Sequence, residues 1–378
     1  MLMIDYDKEL NPEQRLVVME EGGPLLVLAG AGSGKTRTLT YRVARLLETG
    51  IRPEHILLAT FTNKAARAML HRVESLLNLY TGGIVGGTFH SIAHRFLRRF
   101  AHRLEYPSNF TIIDTEDARQ VLSQVLSALK IDKKLSKFPK NNIIAEMMSL
   151  AVNTHSSLDD VLNSRYPFFL HLARDIHSIA CHYQQRKKDL AVMDFDDLLI
   201  NCLRLLREHP DILQSLSQQF LHVLVDEYQD TNILQAEIID LLASGHRNLM
   251  VVGDDSQSIY SFRGANFSNI IDFPKRYPDC KIFKLETNYR STPEILNLAN
   301  LSIENNENQF PKALRAVRTA GTRPVLVSAE NVMRQAEFVG QRINELMRAG
   351  VPACDIAVLY RAHYHSMEVQ MEFVRRDI

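Results

Sequence analysis

The sequence predicts an α/β fold in which a doubly wound parallel sheet is interrupted by a mostly helical domain. Strand-length apolar segments alternate with amphipathic helical stretches, a pattern typical of a parallel sheet covered by helices. Long helical periodicity with few β-branched runs replaces this alternation over residues 91–210. The strands predicted on either side of that insertion are 25–29, 56–61, 222–226 and 249–253.

Further elements are predicted within the insertion and after it. The helical periodicity inside the insertion predicts helices over 117–129, 143–152 and 170–190. After residue 277 the alternation resumes, with predicted strands at 282–285, 325–328 and 356–360 and predicted helices at 293–305, 332–348 and 367–377. Since a sheet usually has five or six strands, these segments predict only the start of a second α/β domain.

The predicted domains follow from these segments. They are 1–90 plus 211–277 for the first α/β domain, 91–210 for the helical insertion and 278–378 for an incomplete second α/β domain. We therefore expect the chain to be an N-terminal portion of a longer protein.

Composition limits the classes of function. Lys plus Arg and Asp plus Glu number 44 each, so net charge neither predicts nor excludes a nucleic-acid partner, and any such surface must be local. Apolar runs are far shorter than the roughly 20 residues that span a bilayer. The start of the chain lacks a signal-peptide pattern, so a cytoplasmic location is expected. The four cysteines form no CxxC pair, which argues against a zinc site or a disulfide scaffold.

A glycine-rich segment, Gly-Ala-Gly-Ser-Gly-Lys-Thr at 30–36, follows the first predicted strand and precedes a helix predicted to begin near Arg37. This is the context that a phosphate-binding P-loop requires, although a simple strand-to-helix turn is the alternative. Backbone amides converge on phosphate oxygens, Lys35 reaches the β- and γ-phosphates, and the Thr36 hydroxyl holds Mg²⁺. The first glycine of the usual pattern is Ala29 here. A P-loop alone leaves kinases, transporters, GTPases and motors open.

An acidic pair, Asp226 and Glu227, ends the third predicted strand. In this position Asp226 can hold Mg²⁺ through water, and Glu227 can activate the water that attacks the phosphate. The alternative interpretation is an acidic cap on the following helix, a role open to Asp230 and Thr231. Together with the P-loop, the pair favours nucleotide hydrolysis.

The pentapeptide Asp-Glu-Tyr-Gln-Asp at 226–230 resembles motif II of superfamily 1 DNA helicases of the UvrD/Rep/PcrA group. The resemblance extends along the chain in the family's motif order. The matching segments are 10–14 (Q motif), 61–66 (motif Ia), 87–91 (motif Ib), 253–265 (motif III) and 288–291 (motif IV). The resemblance implies a RecA-like P-loop NTPase domain with a helical insertion and the start of a second RecA-like domain.

The P-loop and the resemblance together assign the nucleotide site, with ATP and Mg²⁺ as cofactors. The resemblance implies that Tyr289 lies on the adenine ring, that Arg290 acts as an arginine finger and that Gln257 senses the γ-phosphate. The expected catalytic residues are Lys35, Asp226, Glu227, Gln257 and Arg290, and the expected Mg²⁺ ligands are Thr36 and Asp226. The expected ATP contacts are Gln14, Ala29, Gly30, Ala31, Gly32, Ser33, Gly34, Lys35, Thr36, Arg37 and Tyr289.

Some of these assignments have plain alternatives. Arginines usually lie on the surface, so without its context Arg290 is a surface arginine near a helix start. A solvated arginine in a first helical turn is nearly as good an account of Arg37. The acidic segment 194–197 suggests a metal cluster, but it opens a predicted helix, where acids favour the positive end of the dipole, and capping is preferred.

The resemblance also implies a DNA surface, on which aromatic side chains stack with bases. Without it, Phe61 is better explained as a core residue at a strand end. The family often has tryptophan at the position of Phe262, and this chain contains none, so we expect weaker stacking rather than lost binding. The expected DNA contacts are Phe61, Thr62, Asn63, Thr88, His90, Tyr260, Phe262 and Arg263.

Three functional hypotheses remain. The first is an ATP-dependent DNA helicase that moves 3′ to 5′ on single-stranded DNA, present here as an N-terminal fragment because nothing after Arg361 resembles the family's later motifs. Its expected partners are single-stranded DNA, single-strand/duplex junctions and accessory proteins of repair or replication, with no membrane. The second is an ATP- and single-strand-binding module without unwinding activity. The third, a small-molecule kinase, does not require Gln257, Tyr260 and Arg263 together.

Overall fold

The computed structural model describes residues 4–78, 81–130 and 138–378. Its strands, in chain order, are β1 (Leu25–Ala29), β2 (Ile56–Thr60), β3 (Val85–Thr88), β4 (Thr111–Ile112), β5 (Val192–Met193), β6 (His222–Val225), β7 (Leu249–Gly253), β8 (Lys281–Leu285), β9 (Thr287–Asn288) and β10 (Arg315–Ala316). Six of them form one sheet in the order β3-β2-β6-β7-β1-β8. Every pairing in this sheet is parallel, which confirms the predicted fold class.

The helices surround the sheet and fill the insertion. In chain order they are α1 (Tyr6–Glu9), α2 (Pro12–Met19), α3 (Lys35–Glu48), α4 (Asn63–Leu77), α5 (Phe89–Phe100), α6 (Thr115–Ala128), α7 (Asn141–Asn153), α8 (Leu158–Arg165), α9 (Ala173–Asp189), α10 (Phe195–Glu208), α11 (Pro210–Gln219), α12 (Ile233–Ala243), α13 (Ser268–Ile271), α14 (Phe273–Arg276), α15 (Pro293–Ile303), α16 (Val332–Arg348) and α17 (Met367–Arg376). Within the described residues, no helix is both long and apolar enough to cross a membrane.

Both faces of the central strands are buried, as expected for a sheet with helices on each side. Alternate residues of β1 point to opposite sides, so Leu26 packs into a core with α5, α10 and α12. Its neighbour Val27 packs into a second core with α3 and α4. This two-sided burial explains why the strands have continuous apolar sequences rather than alternating ones.

The helical insertion has cores of its own. Side chains of α6, α7 and α9 form one of them, and α7, α8 and the start of α9 form another. Helices α5 and α10, at the two ends of the predicted insertion, instead pack into the core of the sheet. The part with separate cores is therefore shorter than 91–210.

Three predicted strands require correction. The strand predicted at 282–285 to open the second domain is β8, which pairs with β1 along its whole length and so belongs to the first sheet. The segments 325–328 and 356–360 form no strand in the described part of the chain. A strand needs a hydrogen-bonded neighbour, and neither segment has one there; Leu326 and Leu359 are 94% and 93% exposed.

The chain divides into two compact units, 1–321 and 322–378. The second unit contains α16 and α17, which pack against each other. On α17, Glu372 accepts hydrogen bonds from Arg375 and Arg376. The unit is helical, and the second RecA-like domain stays a prediction.

A buried ion cluster stabilises the base of the insertion. Lys187 is 1% exposed, and its ammonium lies 2.5 Å from Asp194 Oδ2 and 2.7 Å from Asp197 Oδ2. Asp194 and Asp197 also form the capping box of α10, which supports the capping interpretation of segment 194–197. Burial and the charge of Asp194 raise the pKa of Asp197 to about 6.

We predict that Lys187→Met lowers the free energy of unfolding by about 3–5 kcal/mol, because it leaves two buried carboxylates without their cation. Denaturant titration followed by circular dichroism measures this. Lys188→Met, which breaks an exposed ion pair with Glu105, is the matched control and should cost less than about 1 kcal/mol. Equal effects of the two substitutions would contradict the prediction.

Candidate functional site

The loop after β1 brings backbone amides to the start of a helix. Strand β1 ends at Ala29 and α3 begins at Lys35, so the loop lies at the positive end of the α3 dipole, where anions are stabilised. Gly32 and Gly34 have φ values of +72° and +88°, which favour glycine. A Cβ on Gly32 would lie 2.6 Å from the Cβ of Arg290. Glycine therefore permits the close approach of the predicted arginine finger.

The acidic pair lies beside this loop. Glu227 Oε2 accepts a hydrogen bond of 2.8 Å from Lys35 Nζ. The backbone of Glu227 is left-handed, with φ +50°, a conformation that costs energy in a residue other than glycine. Asp226 is 6% exposed, and burial together with the Glu227 charge raises its pKa to about 6, against the opposing effect of Lys35. The loop lysine and the two predicted catalytic acids thus form one cluster.

The residues predicted to hold Mg²⁺ are of a suitable chemical type. Thr36 lies in the first turn of α3, and Asp226 follows β6; hydroxyl and carboxylate oxygens are ligands that Mg²⁺ accepts. Among the described residues, no group of three or more His, Cys, Asp or Glu could hold a metal. Mg²⁺ at a phosphate site needs no such group, because phosphates and waters complete its octahedron.

Gln229 contacts the predicted catalytic residues, although the sequence analysis did not single it out. Its side chain is buried, and its Nε2 donates to Glu227 Oε2 at 2.9 Å and to Asp230 Oδ2 at 3.0 Å. Its Oε1 accepts from the backbone amide of Asp254 at 3.0 Å. Asp254 Oδ2 in turn accepts from Gln257 Nε2 at 2.6 Å. A chain of hydrogen bonds therefore joins Glu227 to Gln257, and the only sequence signal for it was the amide within the acidic pentapeptide.

The segment that carries Tyr289 and Arg290 is bound to the loop. The backbone amide of Tyr289 donates to Gly32 O at 3.0 Å, and Asn288 Nδ2 donates to Ala31 O. The hydroxyl of Tyr289 accepts a bond of 2.8 Å from Asn11 Nδ2. These contacts bring the predicted adenine-stacking ring and the predicted finger to the P-loop.

Gln14 and Arg37, two of the residues predicted to contact ATP, form hydrogen bonds with other residues of the protein. Gln14 is 2% exposed, and its amide donates to Ser33 O at 3.0 Å while its Oε1 accepts from the Asn11 amide. An adenine contact by Gln14 thus requires exchange of one of these bonds. Arg37 donates to the backbone oxygen and carboxylate of Glu9. An ATP contact by Arg37 stays a prediction.

Aromatic side chains line a nearby surface. The rings of Phe61 and Tyr260 are 5.1 Å apart, and those of Tyr260 and Phe262 are 6.0 Å apart. Phe61 is 44% and Phe262 70% exposed, so a core role for Phe61 is excluded. The side chain of Arg263 lies outside the described part of the structure. The three aromatic residues predicted to contact DNA therefore lie together, with Tyr260 half-buried between two exposed rings.

Polar residues beside these aromatics cap the N-termini of two helices. The hydroxyl of Thr62 caps α4 by accepting from Ala65 N, and that of Thr88 caps α5 by accepting from Ser91 N. Asn63 Oδ1 accepts from the Thr88 amide at 3.3 Å. The positive ends of two helices thus lie close together.

Phe195 is a second residue that the sequence analysis missed. Its ring meets that of His90 edge to face at 6.0 Å and is 51% exposed. Burial lowers the pKa of His90, which favours the neutral imidazole. For the segment 194–197 the sequence offers a metal cluster or, preferably, a helix cap, and neither interpretation predicts an exposed aromatic ring there.

One cleft, with a volume of about 490 Å³, is lined both by aromatic residues and by the acidic pair. Phe61, Phe195 and Tyr260 line it together with Asp226 and Glu227. The aromatic surface and the acidic pair therefore border a common space.

Comparison with known proteins gives two family matches. Residues 10–278 match the model of the UvrD/REP helicase N-terminal domain, and residues 283–378 match that of the UvrD-like helicase C-terminal domain. The chain is 40% identical over 370 residues to the ATP-dependent DNA helicase PcrA of Staphylococcus aureus and 39% identical over 372 residues to that of Staphylococcus epidermidis. Each alignment covers 98% of this chain and 50% of the relative. The chain thus spans about half the length of these curated relatives.

The raised pKa of Asp226 predicts a pH-dependent stability difference. A raised folded-state pKa favours the folded protein below the ordinary value of 3.8, and this contribution is lost as pH rises through about 6. Asp226→Asn removes the buried charge. The free energy of unfolding of this variant minus that of the unsubstituted protein should therefore rise by on the order of 3 kcal/mol when the pH is raised from 4 to 7. Denaturant titrations at both pH values, without Mg²⁺ or nucleotide, measure the difference. A difference independent of pH would contradict it.

Proposed function

The chain belongs to the UvrD/REP helicase family, and from this premise we propose that it binds Mg²⁺-ATP and single-stranded DNA and hydrolyses ATP in response to DNA. The observation that carries the proposal is the hydrogen-bonded path from Lys35 and Glu227 through Gln229 and Asp254 to Gln257. Gln257 lies three residues before Tyr260 of the aromatic surface. Through these hydrogen bonds, a movement of Gln257 is transmitted to Glu227, and a movement of Glu227 is transmitted to Gln257.

ATP hydrolysis requires the phosphates to be held and the attacking water to be activated. The loop amides and the α3 dipole bind the phosphates, and Lys35 neutralises the β- and γ-phosphate oxygens. Glu227 is the base that accepts the proton of the attacking water, with Gln229 fixing its carboxylate. Bound Mg²⁺ supplies neutralising charge on the phosphate oxygens. Arg290, whose Cβ lies beside Gly32, stabilises charge on the transferring phosphoryl group.

Single-stranded DNA binding uses the aromatic surface. The exposed rings of Phe61 and Phe262 and the half-buried ring of Tyr260 stack with bases, a contact that tolerates any sequence. The capped N-termini of α4 and α5 offer backbone amides to phosphates. The neutral His90 contacts DNA by stacking or hydrogen bonding rather than as a cation.

For the whole protein we propose 3′-to-5′ movement on single-stranded DNA, unwinding at single-strand/duplex junctions, and accessory partners in repair or replication. The similarity to PcrA, an ATP-dependent DNA helicase, supports this. A second candidate is an ATP- and DNA-binding module without unwinding activity. It is favoured by the coverage of only 50% of each relative, because the uncovered half can supply groups that unwinding needs.

We predict that single-stranded DNA stimulates ATP hydrolysis by this chain and that Glu227→Gln lowers the stimulated rate by at least about 100-fold, since it removes the general base. A coupled ATPase assay with and without an oligonucleotide measures both effects. Glu208→Gln, which alters an exposed pair with Arg204, is the matched control and should keep the unsubstituted rate. If the chain binds DNA and ATP but does not hydrolyse ATP, the second candidate, the binding module, is favoured. If the chain does not bind DNA, the proposed function is wrong.

The aromatic surface gives a second prediction. Phe262→Ala should weaken binding of a single-stranded oligonucleotide by about 5- to 150-fold, corresponding to a stacking contribution of about 1–3 kcal/mol. Fluorescence anisotropy of a labelled oligonucleotide measures the affinity. Phe168→Ala, which removes another exposed ring from the helical insertion, should leave the affinity unchanged. Equal affinities for both variants would show that Phe262 does not stack with DNA.

A further inference from the structure

Lys312 is a buried lysine with no role in the proposed chemistry. Its ammonium lies 2.9 Å from Asp254 Oδ1 and 2.6 Å from Asp255 Oδ1, and it donates to Ser256 Oγ at 2.8 Å. The side chains of Lys312, Asp254 and Asp255 are 5%, 3% and 0% exposed. Burying such charges is costly and persists only when they are well paired, so the three groups constrain one another.

Both carboxylates have further partners beyond Lys312. Asp254 uses its second oxygen, Oδ2, to accept from Gln257 Nε2. Asp255 uses Oδ2 to accept from the backbone amide of Phe310 at 3.1 Å. Lys312 therefore joins the loop that carries Gln257 to the chain segment 310–316.

Segment 310–316 also contacts the P-loop and the strand before Tyr289. The side chain of Leu314 packs against Gly30, where an added Cβ would lie 2.3 Å from Leu314 Cδ2. Residues Arg315–Ala316 pair in parallel with Thr287–Asn288, immediately before Tyr289 and Arg290. One short segment thus contacts the Asp254–Gln257 loop, the P-loop and the strand that leads to the predicted finger.

We propose that Lys312 is a positioning residue that fixes the Gln257 loop relative to the Arg290 segment and thereby transmits DNA binding to ATP hydrolysis. This inference rests on the proposed DNA-stimulated ATPase activity. Without the ammonium, Asp254 and Asp255 repel each other, the carboxylate that orients Gln257 shifts, and segment 310–316 loses its anchor. The sites for ATP and DNA remain intact, but the link between them is weakened.

The test compares Lys312→Met with Lys312→Arg and with the control Lys281→Met, which removes an exposed lysine paired with Glu20. Three quantities are measured: the ratio of kcat with and without single-stranded DNA, the Kd of a non-hydrolysable ATP analogue without DNA, and the Kd of an oligonucleotide without nucleotide. Coupling between sites typically corresponds to about 5- to 150-fold effects. We expect Lys312→Met to lower the stimulation ratio at least about tenfold while each Kd changes less than about threefold. Lys312→Arg should restore most of the ratio.

The outcomes separate this inference from the proposed function. No DNA stimulation of the unsubstituted protein would overturn both. Stimulation of the unsubstituted protein that Lys312→Met retains within about twofold would overturn only the role of Lys312, as would loss of stimulation that merely follows a loss of either affinity. If thermal melting shows Lys312→Met to be unfolded, the double variant Lys312→Met/Asp255→Asn, which removes one unpaired carboxylate, decides by the same ratio.

Discussion

The parallel alignment of the six-stranded sheet is the constraint on which the site depends. Parallel strands place all their carboxyl ends at one edge, which is where ligands bind in open α/β sheets. The P-loop follows β1, the acidic pair follows β6, and the Gln257 loop follows β7. These segments are far apart in sequence and meet only because β7 lies between β6 and β1. A change in strand order would separate the glycine-rich loop from Glu227.

Electrostatics then determines how these segments are held together. Lys35 pairs with Glu227 after β6, and Lys312 pairs with Asp254 and Asp255 after β7. The amide of Gln229 connects these ion pairs by donating to the Glu227 carboxylate and accepting from the Asp254 backbone amide. In a poorly solvated site such bonds are strong when satisfied and costly when broken. The network therefore has few alternative arrangements, which is a requirement for transmitting a change from one site to the other.

The sequence predicted the family and the local elements better than the contacts between elements. The bounds of β1, β7 and α16 agree with the prediction because each is a continuous apolar run or a long amphipathic repeat. The segment 282–285 was assigned to the wrong sheet, since local pattern carries no information about which strand is the neighbour. Gln229 and Lys312 were missed for a related reason: their importance lies in contacts with residues distant in sequence. Phe195 was missed because helix capping by the neighbouring acidic residues was a sufficient explanation of its segment.

Reciprocal binding tests the central claim, that the phosphate site and the aromatic surface are one coupled unit, most directly. The Kd of a non-hydrolysable ATP analogue is measured with and without saturating oligonucleotide, and the Kd of the oligonucleotide with and without saturating analogue. Linkage requires the two ratios to be equal, and we expect a common factor of at least about 5. A factor of about 1 in both directions would show that the two sites bind independently and are not coupled.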